Sequence, residues 1–189
     1  QGRRHVTQPK TTATRQFAYL VLASVNEPEL ENLRQRLSEI DEQTTDVMRG
    51  NTPSQVDLPF HELTTIHYAR FVIIESKGGH MLAFSTNYDG IEGDENCSER
   101  VARKLHFAEL EKLAGPGLEN VFQYCVGFRR GELKKFLAKH SVKAKTFYVG
   151  SRGRSLSQVR WEAALRRDVA ALPDSAHSQA KKTAGGRHE

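Results

Sequence analysis

No apolar run in this 189-residue chain approaches the ~20 residues needed to cross a bilayer, and its opening QGRRHVTQPKTTATR has no stretch that could form a signal core. These two absences speak against a membrane protein and lead us to expect a cytoplasmic one. Cysteine is equally scarce. Cys97 and Cys125 are too few for a disulfide framework and are not spaced as a redox or zinc motif. Cys125 lies in an apolar run and reads as buried, whereas Cys97, in the polar stretch GDENCSER, reads as the more exposed thiol. With 14 Gly and 6 Pro the chain is not collagen-like, and fifteen aromatics exclude a wholly disordered one.

What is present suits one ordinary domain with loose ends. Residues 1–15 hold four basic groups and nothing that could pack, and residues 175–189 are as poor, so both read as disordered tails around a domain over 16–174. The formal net charge of +5 resides in those tails. Residues 16–174 carry 21 basic and 22 acidic groups, which speaks against a nucleic-acid-binding surface on the domain. The domain is polarised, however. Residues 16–128 carry 9 basic against 18 acidic groups, and 129–174 carry 12 against 4, which is −9 followed by +8. Opposite halves can simply attract; an anion-binding surface is the other reading.

The alternation of periods predicts mixed strands and helices. Phe17 to Val25 is apolar on both faces and reads as a central strand. Asn26 and Glu29 have capping-box spacing before a helix with Leu30, Leu33, Leu37 and Ile40 on one face. A loop is expected over 44–64. Two strands, Ile66 to Glu75 and His80 to Tyr88, then form a hairpin across Lys77-Gly78-Gly79. A helix from about Glu95 to Ala114 is expected to stop at Gly115-Pro116-Gly117, with a fourth strand over Val121 to Phe128. A helix over Glu132 to His140, a fifth strand over Lys143 to Val149 and a helix over Leu156 to Leu172 complete the pattern. The order β-α-β-β-α-β is that of an α+β ferredoxin-like split βαβ sandwich, here with an αβα extension. Helices cover only one face of such a sheet. The other face therefore implies a partner, and we expect a homodimer pairing into an α+β barrel able to hold a small ligand.

Several residues are candidates for chemistry. In the strand-to-helix loop Gly150-Ser151-Arg152-Gly153-Arg154-Ser155, the glycines would let the backbone approach an anion, Arg152 and Arg154 would bind it, and Ser155 is placed to cap the helix. A well-capped turn is the plainer reading. Arg70, among apolar neighbours, needs a cavity wall, a dimer seam or a carboxylate such as Asp89. His67 is either a metal or haem ligand or a hydrogen-bonded core residue. Ser85 to Gly90 has turn chemistry, and Asp89 could serve as an acid-base group. No histidine pair has zinc spacing.

The segment Ile66-His67-Tyr68-Ala69-Arg70-Phe71-Val72 and the later Leu82-Ala83-Phe84-Ser85-Thr86-Asn87-Tyr88-Asp89-Gly90 are similar to the IHFARWV…LLFxSNYDG hairpin of a group of largely uncharacterised bacterial proteins. The similarity spans residues 62–150 and implies a ferredoxin-like, dimeric α+β-barrel fold. More distantly the chain resembles dye-decolorising haem peroxidases, whose Gly-x-x-Asp-Gly motif supplies a distal aspartate. Only Asp89-Gly90 of that motif is matched, Thr86 standing at the first glycine, and the proximal histidine segment has no counterpart. The resemblance implies haem as cofactor, Asp89 and Arg70 as distal polar groups and His67 as the candidate iron ligand. The expectation is thus a small-ligand-binding ferredoxin-like domain, peroxidase-like and haem-dependent if it is an enzyme at all. The alternative is a non-enzymatic module that holds an acidic partner through its basic C-terminal part.

Overall fold

In the computed structural model, which describes residues 13–51, 53 and 55–171, the first regular element is a strand, β1 (Gln16–Ser24). Its odd-numbered side chains Phe17, Tyr19, Val21 and Ala23 are buried and the even-numbered ones only partly, the signature of one face on a core. A 3₁₀ turn over Glu27–Glu29 leads into α1 (Leu30–Met48), which buries Leu33 and Ile40. The expected capping box does not form: the Asn26 side chain caps nothing, and its backbone N–H instead donates to the carbonyl of Tyr124 at 2.9 Å. After the loop come β2 (Ile66–Ser76) and β3 (Gly79–Asp89), joined by a two-residue turn, Lys77-Gly78. Gly79 enters β3 at φ 111°, a conformation that disfavours side chains.

The three strands are antiparallel in the order β1-β3-β2, so β3 is the central strand and β1, expected there, flanks it. The next helix, α2 (Glu99–Phe122), starts at Ser98, whose hydroxyl accepts from Val101 N–H. It lies on the core face, setting Phe122 against Phe84, His106 flat against Tyr88 and Phe107 edge-on to Tyr19. A short α3 (Leu133–Lys139) adds Phe136, packed on Phe122. This is a mixed α+β fold with an antiparallel three-stranded sheet.

Two expected strands are absent. Residues 121–128 do not form the fourth, because α2 runs through Gly115-Pro116-Gly117 instead of stopping there. Leu110, Ala114, Leu118, Val121 and Phe122 are its continuous buried stripe at helical spacing. The glycine at 117 is required by packing: a β-carbon there would stand 1.9 Å from the carbonyl oxygen of Asp57. Nor is Lys143 to Val149 a strand; it is an exposed segment without regular structure. The outer edge of β1 is met instead by a set of short bridges, of which only 124–126 falls within an expected strand. Tyr124 and Val126 bond Asn26 and Ser24, His140 and Val142 bond Leu22 and Leu20, and Gly153 bonds Thr14. Thr14, expected in the N-terminal tail, is buried, and its hydroxyl also accepts from Gly93 N–H. Cys97 is likewise buried, with its thiol beside Gly90 and the Ile91 amide.

The chain divides into two compact units, Thr11–Leu156 and a second whose described part is residues 157–171. The latter carries almost all of α4 (Leu156–Ala170), on which Leu165 and Val169, expected to face inward, are exposed. Leu172 and the two expected tails, apart from residues 13–15, lie outside the described residues. Among the described residues no helix is long and apolar enough to cross a membrane.

His106 is fully buried within the larger unit. Its Nε2 meets Thr86 Oγ1 at 2.9 Å, its Nδ1 has no hydrogen-bond partner among the described residues, and burial pushes its pKa from 6.5 down to about 4, with Glu109 pulling weakly the other way. Two predictions follow from this packing. Gly117→Ala should lower stability in urea denaturation by about 1–3 kcal/mol, the usual cost of overpacking. Because the unfolded chain takes up the His106 proton first, stability should be complete above pH 6.5 and fall as the pH drops towards 4, by up to about 3 kcal/mol. In His106→Gln, which cannot titrate but can still bond Thr86, that part of the acid dependence should vanish.

Candidate functional site

The residues singled out in the sequence separate into two groups. His67 occupies a β-bulge: Ile66 lies opposite Tyr88 and Tyr68 opposite Asn87, leaving His67 as the extra residue between. Strict alternation would put Ile66 and Tyr68 on one face of the strand, and the bulge breaks that pattern. It turns His67 towards the end of β3, where Nε2 meets Asp89 Oδ1 at 2.7 Å. The Asp89 side chain is almost wholly buried, and its second oxygen accepts the Leu156 N–H at 2.6 Å. Close by, the Gln16 amide donates to the carbonyl of Arg154, and the buried Ser155 hydroxyl donates to Glu92. His67, Asp89, Arg154 and Ser155 thus converge where α4 begins.

The other two do not join them. Arg70 stands on the outer face of the sheet, exposed, with Nε donating to Ser85 Oγ at 3.1 Å and no bond to Asp89. Arg152 is exposed in the loop.

This geometry answers two expectations. The first amide of α4, which was to attract an external anion, already bonds the Asp89 carboxylate, so the loop is closed by the chain's own acid. Haem fares no better. A distal acid and a proximal histidine must stand on opposite faces of the iron, whereas Asp89 and His67 hold each other directly and Asp89 faces no open space. These residues do not fit a peroxidase haem site. Among the described residues no three His, Cys, Asp or Glu side chains gather to hold a metal ion. What the pair does is simpler: His67 Nε2 meets both Asp89 Oδ1 at 2.7 Å and the Gln16 amide nitrogen at 3.3 Å, so the imidazole ties β2 to the end of β3 and the start of β1.

A second place was not foreseen. Between β1, α2 and α3 lies a half-open cleft of about 390 Å³. Tyr19 and Phe107 form its aromatic floor, with ring centroids 4.8 Å apart and planes at 89°. Arg100, Arg103, Lys104 and Lys134 line it, together with Ser141. The Tyr19 hydroxyl donates to the Leu137 carbonyl at 2.8 Å, and burial raises its pKa against the opposing charge of Arg103. The volume falls within the ~300–1,000 Å³ range of small-molecule sites. Positions 100, 103, 104 and 107 follow helical spacing, a signal that the sequence carries openly.

No family model matches the chain, and no curated protein matches it. A solved structure, the tetracenomycin F2 cyclase of Streptomyces glaucescens, a type-II polyketide cyclase, is 13% identical over 71% of this chain and 99% of its own, with a TM-score of 0.36. A likeness of that degree carries no argument here about fold or chemistry.

The Asp89 carboxylate has a measurable structural role. Asp89→Ala would leave the Leu156 amide and His67 without their acceptor, so we expect a stability loss of about 1–3 kcal/mol. Hydrogen exchange at Leu156 should accelerate in the same variant.

Proposed function

We propose that this chain is a small-ligand-binding α+β domain, ferredoxin-like in plan, and that its ligand occupies the cleft between β1, α2 and α3. The observation that carries this reading is the cleft itself, in which an aromatic floor meets a wall of four cations and no carboxylate lines the space. A ligand suited to it combines a flat apolar body with an anionic group, the first resting on Tyr19 and Phe107, the second facing the basic wall. This deals with the −9 charge of residues 16–128: a negatively charged half can still carry one locally positive recess. The absence of a haem fit at His67 and Asp89 removes the support for peroxidase chemistry without touching the ligand-binding reading.

A second reading has its own observation. Lys143, Lys145 and Tyr148 are exposed along the irregular segment 142–150, and Tyr148 is 88% exposed. An acidic partner could be held there, and that interaction would not involve the cleft. The homodimer belongs to the proposal as well: Tyr68, Val72 and Ile74 are exposed on the outer face of β2 around Arg70, which Ser85 engages, and a second copy is the occupant we assign to that face. Sedimentation should give twice the chain mass, and Val72→Asp should return the monomer; a monomer at every concentration ends that assignment.

The cleft is tested by titrating isotope-labelled protein with 1-naphthoate. Amide signals over 100–107 and 134–141 should shift together and saturate. Phe107→Ala should weaken binding about tenfold, in keeping with the loss of one well-packed aromatic contact, with Phe107→Leu intermediate. Shifts confined to 142–150 would favour the second reading instead.

A further inference from the structure

The four cations of the cleft are not equally provided for. Arg103 has Glu99 at 3.9 Å, a loose and exposed pair. Arg100, Lys104 and Lys134 form no ion pair among the described residues, although Lys135, one position from Lys134, pairs with Glu132 at 3.6 Å. Arg100 stands at i−3 from Arg103 and i−4 from Lys104, so three like charges share one helix face, an arrangement that is destabilising in isolation. Lys134 approaches from α3 and adds a fourth. Acidic residues are twice as numerous as basic ones over 16–128, and yet none lines this recess. Excess positive charge is therefore concentrated around an open volume that Tyr19 and Phe107 also line.

One negative charge leaves most of this wall unanswered. A carboxylate offers two oxygens and a single charge, enough for one fork-like pair with a guanidinium. A phosphate monoester offers three oxygens and close to two charges at neutral pH, and it can face guanidinium and ammonium groups from two helices at once. Arginine suits the planar, two-point contacts and lysine the point-charge ones, and both kinds are present.

We infer that the cleft takes the phosphate monoester of a flat aromatic molecule, with the phosphate between Arg100, Arg103, Lys104 and Lys134 and the ring on Phe107 and Tyr19. This rests on the cleft being the ligand site and names the class of compound it selects.

The test uses a matched set of probes measured by calorimetry on the full chain at pH 7.5: 1-naphthyl phosphate, 1-naphthoate, 1-naphthol and inorganic phosphate. Naphthyl phosphate should bind at least about tenfold more tightly than naphthoate, one tenfold step being the minimum for an added charge-assisted contact. Naphthol and inorganic phosphate should each be weaker than the phosphate ester that combines them. Raising the salt from 50 to 500 mM should weaken naphthyl phosphate severalfold and leave naphthol nearly unchanged. Lys134→Gln and Arg103→Gln should each reduce naphthyl phosphate affinity about tenfold, whereas Lys135→Gln, one position away and paired with Glu132, should not; melting curves confirm that the variants are folded. Equal affinity for naphthoate and naphthyl phosphate, or for inorganic phosphate and the ester, would overturn the inference while leaving the cleft a ligand site. Failure of all four probes to bind at millimolar concentration would remove both.

Discussion

The outer edge of β1 is the constraint on which the arrangement of the larger unit depends. A strand edge exposes a row of N–H and C=O groups that must be paired or hydrated. Here three short segments supply partners: 124–126 after the end of α2, 140–142 after the end of α3, and Gly153 before α4 begins. Each contact is only one or two hydrogen bonds long. Together they hold the C-terminal third of this unit to the sheet without a fourth strand. The cleft lies over the middle contact, since Tyr19 projects from β1 and Ser141 closes the space from the bridging segment. The histidine-aspartate pair lies near the last, where Gln16 of β1 bonds the Arg154 carbonyl.

That division explains why the same neighbourhood can be closed in one place and open in another. At the start of α4, Asp89 satisfies both an imidazole and a helix amide, so a carboxylate that could have served chemistry instead serves to hold structure. At the cleft the side chains are long and basic, and little in the protein answers them. Buried acid and exposed base stand at different points along β1, the first beside Gln16 and the second beside Tyr19.

Much of the fold was legible in sequence, and the failures have physical causes. The hairpin was legible because two β-rich runs flank a two-residue turn, and α1 because its leucines keep helical spacing. The stretch 115–122 misled because Gly-Pro-Gly is usually a helix stop, whereas here close packing against Asp57 needs Gly117 inside the helix. Val121 to Phe128 has strand-like composition, and only its neighbours at 110, 114 and 118 disclose the helical period. Of the six candidate site residues, four met, through a bulge at His67 that alternation does not foresee. The cleft was missed because its parts come from positions 19, 100–107 and 134–141, and because a net count over 16–128 hides three cations on one helix face.

The central position of β3 also sets an order of assembly. β2 and β3 are adjacent in sequence and can zip together across a two-residue turn on the time scale of an isolated hairpin, about microseconds. β1 pairs with β3 rather than with β2, so Gln16 must find Asp89 across a span that includes all of α1 and the following loop. Closing that loop carries an entropy cost that no local contact offsets beforehand. The edge segments, in turn, have their partner only once β1 has docked.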